Sequence, residues 1–183
     1  MHALVVGGTG MLKSVVLDLL QKGYVVTVIA RHQVSLETLI NEVGAYADHI
    51  HPVALDYANH NQLALALDAA MAEFGPIVLT VAWIYSSALQ SLQIVAQYTH
   101  GDLFHIRSAA ASQPGFQDPF DIPSLQAWSH IYYHQVILGF ILEGNRSRWL
   151  NNAEIAKGII SALEYKIGTY VVGVVEPWAR RPA

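Results

Sequence analysis

The chain opens with a short apolar run that leads directly into three closely spaced glycines. The candidate strand Ala3–Gly7 holds the first of them, Gly8 and Gly10 follow, and apolar residues at helical spacing continue over Met11–Lys22. Glycine adopts backbone angles closed to other residues and lets a phosphate approach the main chain. The first N–H groups of the helix that follows then form an anion site. This opening predicts a strand, a glycine turn and a helix that bind a phosphate-bearing nucleotide.

The composition indicates one compact domain over residues 1–183. Hydrophobic residues make up 53% of the chain and charged residues 13%, with a net charge of -4 and no cysteine. The absence of cysteine excludes a disulfide framework, a thiolate metal site and a cysteine nucleophile. The negative charge argues against nucleic acid as a partner. No run approaches the roughly 18 apolar residues of a membrane span, and no segment resembles a signal peptide. We expect a cytoplasmic protein with a small-molecule substrate and no membrane partner. The sequence leaves association into a homo-oligomer open.

Short β-branched runs alternate with helical stretches along the whole chain. Most of these runs are continuously apolar, as in a parallel sheet that helices cover on both faces. The pattern predicts an α/β fold with a doubly wound, mainly parallel seven-stranded sheet in the order 3-2-1-4-5-6-7. The predicted strands are Ala3–Gly7, Tyr24–Ala30, Ile50–Leu55, Ile77–Ile84, Asp102–Arg107, Val136–Leu142 and Thr169–Val175.

Capping residues place the helices between these strands. Asparagine and serine at a helix N-cap accept hydrogen bonds from the first free N–H groups. Candidate caps are Ser35, Asn59 or Asn61, Ser86 or Ser87, and Asn151 or Asn152.

The segment 109–130 departs from this alternation because it contains three prolines and little helical periodicity. A loop of this length in a compact domain is usually functional or mobile. It follows the fifth strand at the carboxyl edge of the sheet, where ligands bind in open α/β folds. A poorly ordered connection is the alternative, and both interpretations stay open.

Two polar residues follow the second and third strands. Arg31 stands where an NAD site usually has a carboxylate, and an arginine there suits the 2′-phosphate of NADP. The sequence therefore favours NADP over NAD, although Arg31 could be only an exposed turn residue. Asp56 could accept a hydrogen bond from the adenine amino group, and it could equally begin a turn.

Four motifs together resemble the short-chain dehydrogenase/reductase family: Val5–Leu12, Ala30-Arg31, Leu55–Tyr57 and His105–Ser108. In addition, the segment Ser147–Ala156 is similar to the late helix of that family. The resemblance implies a Rossmann-type fold that binds NADP(H), with the substrate over the carboxyl edge of the sheet. The cofactor contacts that motif and resemblance together indicate are Gly7, Thr9, Gly10, Met11, Leu12, Arg31, His32, Asp56, Tyr57, Ala82 and Trp83.

The chain departs from that family in two places. Lys13 stands where the family's glycine turn has its third glycine, so its side chain must point outward or lie along the phosphates. The family's catalytic tyrosine is followed four residues later by a lysine. Here Tyr132 and Tyr133 are followed at that spacing by Val136 and Ile137. The usual proton relay therefore cannot be transferred to this chain.

A different set of residues could carry the chemistry. Ser108 matches the family's catalytic serine by pattern, and Tyr133 and His134 follow the long loop. Histidine is the side chain best suited to proton transfer near neutral pH. These three residues are our catalytic candidates. The alternative is that Tyr133 and His134 only lead into the sixth strand, where their side chains pack or face water.

Histidine spacing raises the question of a metal site. His130 and His134 are four residues apart, and His49 and His51 are two apart. Both pairs fall in predicted strand or irregular chain and lack a matching carboxylate, so we predict surface histidines and no metal.

The tryptophans and the two arginines near the end of the chain are not assigned individual roles, apart from Trp83. The four tryptophans are expected in the core or lining the cleft, with Trp83 beside the nicotinamide. Arg180 and Arg181 are expected to form a solvated tail.

Three functions remain open. The first, which the aromatic cleft slightly favours, is an NADPH-dependent oxidoreductase acting on a small carbonyl or unsaturated substrate. The second is an NADP(H)-binding sensor without turnover, which the missing tyrosine–lysine pair favours. The third is a binder of another nucleotide, in which Lys13 contacts phosphate.

Overall fold

The computed structural model describes residues 1–120 and 122–182, and a seven-stranded sheet organises them. The strands of this sheet are β1 (His2–Val6), β2 (Val25–Ala30), β3 (Ile50–Ala54), β4 (Ile77–Trp83), β5 (Thr99–Ser108), β6 (Ile131–Leu138) and, after a separate hairpin of two strands, β9 (Thr169–Val172). Their order in the sheet is β3-β2-β1-β4-β5-β6-β9, and every neighbouring pair is parallel. The predicted α/β fold and strand order are confirmed.

Helices cover both faces of the sheet and bury two apolar cores. In β1, Ala3 and Val5 point into one core while Leu4 and Val6 point into the other. This alternation follows from the two-residue repeat of a strand. No helix within the described residues is long and apolar enough to cross a bilayer. The helices are α1 (Lys13–Gln21), α2 (Gln33–Val43) and α6 (Asn152–Tyr165) on the first face, and α3 (His60–Phe74), α4 (Leu89–Tyr98) and α5 (Ile122–Gln126) on the second.

Two of the predicted asparagine caps are confirmed. The Asn59 side chain accepts the N–H of Gln62 at the start of α3. Asn151 and Glu154 form a reciprocal capping box at the start of α6. The serine predictions are wrong in detail: α2 begins at Gln33, two residues before Ser35, and a short 3-10 turn over Ser86–Ala88 precedes α4.

The sixth strand lies earlier in the chain than predicted. It spans Ile131–Leu138 instead of Val136–Leu142, because its aromatic first half also pairs with β5. After Gly139 the chain leaves the sheet and forms an antiparallel hairpin of β7 (Phe140–Glu143) and β8 (Arg146–Trp149). The two-residue turn Gly144-Asn145, with φ +60° at Gly144, is a typical hairpin connection.

The segment 109–130 is the crossover between β5 and β6. It begins with a 3-10 turn over Ala109–Ser112 and carries the five-residue helix α5. Position 121 lies outside the described residues. A short crossover therefore covers β5 and β6 on the face that α3 and α4 cover elsewhere.

Gly8 and Gly10 provide a matched test of the glycine turn. A Cβ at Gly8 would lie 2.6 Å from Val28 Cγ1 and within 3.2 Å of two other buried valine methyls, whereas a Cβ at Gly10 meets nothing within 4 Å. We expect Gly8→Ala to lower the free energy of unfolding by about 1–3 kcal/mol because stiff side chains must move. Gly10→Ala should change it by less than about 0.5 kcal/mol. Urea unfolding of both variants checks this, and equal losses would contradict the packing described.

Candidate functional site

Parallel pairing brings the ends of the central strands together at one edge of the sheet. The register pairs Val6 with both Ile29 and Ala82, and Ala82 with His105. The residues that follow these strands, together with Asp56 after β3, therefore lie along the same carboxyl edge. This is where open α/β folds bind ligands.

The glycine turn forms an open anion site at the start of α1. Gly7, with φ +87°, donates its N–H to the Ile29 carbonyl at 2.9 Å. No side chain caps α1 at Leu12, and its first turn holds no acidic residue. Lys13 points away, since its Nζ lies 2.6 Å from Glu42 Oε2. Within the first turn of α1, the N–H groups of Lys13 and Val15 donate to the Gly10 and Leu12 carbonyls at 3.1 and 3.0 Å. An anion here would therefore bind the N–H groups of the glycine turn and the positive end of the helix dipole.

The predicted turn residues have different surroundings. Gly10 is exposed, whereas Thr9 and Met11 are half-buried. The Leu12 side chain is completely buried in the core. Leu12 could therefore contact a ligand only through its backbone.

The predicted adenosine end lies beside β2 and β3. Arg31 and His32 are exposed, and Arg31 is near enough to Tyr57 to oppose the rise in the tyrosine pKa that burial causes. Asp56 accepts the Ala58 N–H at 2.9 Å, so it does begin a turn. It also borders an open polar cavity of about 540 Å³. Both interpretations of Asp56 fit this geometry.

An apolar cavity, the outer cavity, lies beside the glycine turn. Its volume is about 400 Å³, within the usual range for small-molecule sites. Ala82 is fully buried beneath this edge, while Trp83 reaches the cavity. The lining of the outer cavity includes Met11, Trp83, Ser108, Leu138, Trp149, Leu150, Trp178 and Arg181.

The sequence analysis expected Trp149 and Trp178 in the core or lining the cleft, but it missed Arg181 in this lining. The β7–β8 hairpin contributes Trp149, and the C-terminal segment contributes Trp178 and Arg181. The Arg181 guanidinium carbon lies 4.9 Å from the centre of the Trp178 ring, and Arg180 donates to the Gly144 carbonyl. The predicted solvated tail is therefore wrong for Arg180, which is half-buried and bonded to the hairpin, whereas Arg181 is exposed and contacts Trp178 of the same segment.

A second, smaller cavity, the inner cavity, lies between the end of β5 and the crossover. Its volume is about 120 Å³. It shares Trp83, Ser108 and Ala110 with the outer cavity, so Ser108 borders both. Its other polar lining residues include His105 and Arg107, which the sequence analysis gave no role.

Arg107 is a buried cation, with only 7% of its surface exposed. Its Nη1 donates to Asp118 Oδ2 and to Gln135 Oε1, both at 2.6 Å. The guanidinium also lies over the Phe120 ring, 5.6 Å from the ring centre. Arg107 thus links β5 to the crossover and to β6.

His105 is neutral and hydrogen-bonded to Tyr133. Burial, with a smaller contribution from Arg107, lowers the His105 pKa from 6.5 to about 4. Burial also raises the Tyr133 pKa, so the phenol stays protonated. Nδ1 of His105 lies 2.8 Å from the Tyr133 hydroxyl, and Nε2 faces the Ile84 carbonyl at 3.5 Å. Since a carbonyl only accepts, the proton is on Nε2 and Tyr133 donates to Nδ1.

The structure does not bring Ser108, Tyr133 and His134 together. Tyr133 pairs with Leu103, five residues before Ser108, or about 16 Å along the strand. His134 points to the opposite face of the sheet because side chains alternate along a strand. There its ring stacks on Phe104 and its Nε2 lies 2.9 Å from Asp102.

The histidines predicted at the surface have different surroundings. The His130 ring lies against Trp128 and His100, whereas His134 is buried beside Asp102, so the surface prediction is wrong for His134. His51 contacts Thr27 and Phe74. Within residues 1–120 and 122–182, no three His, Asp or Glu side chains are grouped to hold a metal ion.

Comparison with known families identifies the first half of the chain. The family model described as short chain dehydrogenase matches residues 1–99, more than half of the sequence. The chain belongs to the short-chain dehydrogenase family. The predicted resemblance is confirmed, and the match ends before the region in which the tyrosine–lysine pair is missing. No curated protein matches the sequence.

Solved structures of the family share the fold over nearly the whole chain. A short-chain type dehydrogenase/reductase from Mycobacterium marinum has a TM-score of 0.72 at 20% identity, covering 94% of this chain and 93% of that one. A metagenomic short-chain oxidoreductase in complex with NADP has a TM-score of 0.68 at 14% identity, covering 94% and 96%. An actinorhodin polyketide ketoreductase variant with NADPH has a TM-score of 0.69 at 16% identity, covering 94% and 95%.

The neutral state of His105 predicts how stability depends on pH. A histidine with a lowered pKa stabilises the fold fully above pH 6.5, and this stabilisation is lost as the pH falls towards 4. The loss for His105 amounts to about 3 kcal/mol at most. We expect the unfolding free energy of His105→Asn to fall less than that of wild type over this range, as measured by urea unfolding at each pH.

His2 provides the control for this experiment, because burial also lowers its pKa. His2→Asn should also reduce the pH dependence of the unfolding free energy. Because the two residues lie apart, the reductions from His2→Asn and His105→Asn should add in the double variant. Parallel stability curves for wild type and His105→Asn would show that His105 is not held neutral.

Proposed function

We propose that the protein is an NADP(H)-dependent oxidoreductase that transfers a hydride between the cofactor and a small carbonyl or unsaturated compound. One observation carries this proposal: Ser108 and Trp83 border an apolar cavity at the same sheet edge as the uncapped glycine turn. Membership of the short-chain dehydrogenase family supports the reaction class.

The chain offers suitable partners for each part of the cofactor. The backbone of the glycine turn suits the pyrophosphate, because the N-terminus of α1 has no side-chain cap. Arg31 is exposed at the end of β2 and suits the 2′-phosphate. Asp56 borders the polar cavity where adenine would lie, and Trp83 stands at the nicotinamide end. When bound, the cofactor supplies the hydride.

The remaining chemistry requires a hydrogen bond to the substrate oxygen and a proton. Ser108 is exposed at the end of β5 and can donate to that oxygen. Tyr133 is poorly suited to supply the proton, since burial raises its pKa and its hydroxyl is held by His105. His134 lies on the other face of the sheet. We infer that water entering the outer cavity supplies the proton.

A non-catalytic NADP(H) sensor is the second candidate, since the chain lacks the family's tyrosine–lysine pair. Titration with NADPH and NADH, followed by a screen of carbonyl substrates, separates the two. Binding with turnover supports the enzyme, and binding without turnover supports the sensor. Failure to bind either cofactor overturns both candidates.

Arg31 provides the test of cofactor preference. Arg31→Asp should weaken NADPH binding by about 10- to 100-fold because it removes a charge-assisted hydrogen bond and adds repulsion. NADH affinity should change by less than about threefold, since NADH has no 2′-phosphate. Fluorescence titration measures both constants. Arg146→Asp makes the same charge change on the exposed hairpin and should alter neither. If both affinities of Arg31→Asp fall together, Arg31 does not contact the 2′-phosphate.

Ser108 provides the test of catalysis. Ser108→Ala removes the hydroxyl at the border of the two cavities, and we expect kcat to fall by about 10- to 1,000-fold. The dissociation constant of NADPH should stay within about twofold, because Ser108 is not assigned to the cofactor. Steady-state kinetics and cofactor titration are measured on the same preparation. Equal losses of binding and turnover would contradict this role.

A further inference from the structure

Three polar residues of β5 line the inner cavity, namely His105, Arg107 and Ser108. Each of them carries a group that can donate a hydrogen bond. The His105 donor is weakly used, since the Ile84 carbonyl lies 3.5 Å away. The apolar residues that complete the lining include Trp83 and Phe120. A small cavity of this kind suits a ligand rich in acceptor oxygens.

Arg107 determines the charge of that ligand. Nη1 makes both the ion pair with Asp118 and the hydrogen bond to the Gln135 side chain. Among the described residues, Nε and Nη2 have no acceptor. Because Arg107 lines the inner cavity, the edge formed by Nε and Nη2 is the part of the guanidinium that a ligand there could use. Two N–H groups side by side on a guanidinium match the two oxygens of a carboxylate.

Asp118 shows that this position already accepts a carboxylate. Its Oδ2 lies 2.6 Å from Nη1, and its side chain is 32% exposed on the crossover. A ligand carboxylate can therefore use the free edge of Arg107, and the negative charge of Asp118 opposes its binding. The volume of about 120 Å³ is well below the roughly 300–1,000 Å³ of a drug-sized ligand pocket, which limits the ligand to a carboxylate with a few carbon atoms.

We propose that the inner cavity binds the carboxylate of the substrate through Arg107, so that the substrates are short-chain oxo acids. The assignment to a substrate rests on the proposed function. The carbonyl of such an acid is then held at Ser108, where the inner and outer cavities meet. Hydride adds to the carbonyl carbon and a proton from water to its oxygen, giving the hydroxy acid and the oxidised cofactor.

The binding test uses propionate and propionamide, which have similar shapes and differ in charge, and it needs no cofactor. NMR titration of isotope-labelled protein should show saturable shifts at residues 105–108 with propionate. Propionamide should bind about tenfold more weakly or worse. Arg107→Gln should lose the difference between the two probes. Arg146→Gln, the same charge change on the exposed hairpin, should keep it. Equal binding of the two probes, or unchanged propionate binding in Arg107→Gln, overturns the proposal.

Asp118→Asn covers the case in which Arg107→Gln fails to fold. It keeps a side chain that can accept from Arg107 and removes the competing charge, so propionate affinity should rise several-fold. If Arg107 and Asp118 only hold the crossover, affinity should stay the same or fall, and that result overturns the proposal.

A kinetic comparison then connects the cavity to the reaction. With NADPH, kcat/KM for pyruvate and acetoacetate should exceed that for their methyl esters, and Arg107→Gln should abolish the preference. Equal or better turnover of the esters overturns the substrate assignment. Absence of turnover with every carbonyl overturns the proposed function instead, while propionate binding remains a separate result.

Discussion

The ion pair between buried Arg107 and exposed Asp118 is the interaction on which the second half of this fold depends. A crossover with only the short helix α5 must cover the face of β5 and β6. A buried cation is costly unless it is paired and hydrogen-bonded, so the chain that carries Asp118 is held close to the sheet. The Gln135 contact extends this link to β6. The inner cavity is the space left between the sheet and the crossover that this pair holds.

The first half of the chain could be predicted because its local signals agree with one another. The glycine turn, the apolar strands and the asparagine cap at Asn59 all indicate the same α/β units, and the residues after parallel strands must meet at one edge. The second half gives conflicting signals. Tyr132 to Gln135 mixes aromatic and polar residues and does not show the apolar run of a buried strand. The hairpin had a usable signal in Gly144-Asn145, which the apolar run before it concealed.

His134 of β6, a catalytic candidate from the sequence, has a structural role instead. His134 lies between acceptors from two other elements, the Ile167 carbonyl at 3.1 Å and Asp102 at 2.9 Å, and Lys166 closes the network on Asp102. These contacts tie β5 and β6 to the turn before β9, on the face opposite Tyr133. The sequence showed that His134 is polar and near the candidate site, but not which face of the sheet its side chain occupies. That depends on strand register, and a one-residue change of register exchanges the faces.

The register of β5 also separates its buried structural residues from its exposed candidate for catalysis. His105 and Arg107 point to the crossover face, where burial keeps the histidine neutral and the arginine paired. Ser108 ends the strand at the exposed edge, where it can meet a reacting group. Without the tyrosine–lysine pair, no described side chain beside Ser108 is arranged to pass it a proton, so the proposed reaction depends on access of water through the outer cavity. The proposed catalysis therefore requires that the hairpin and the C-terminal segment shape this cavity without sealing it.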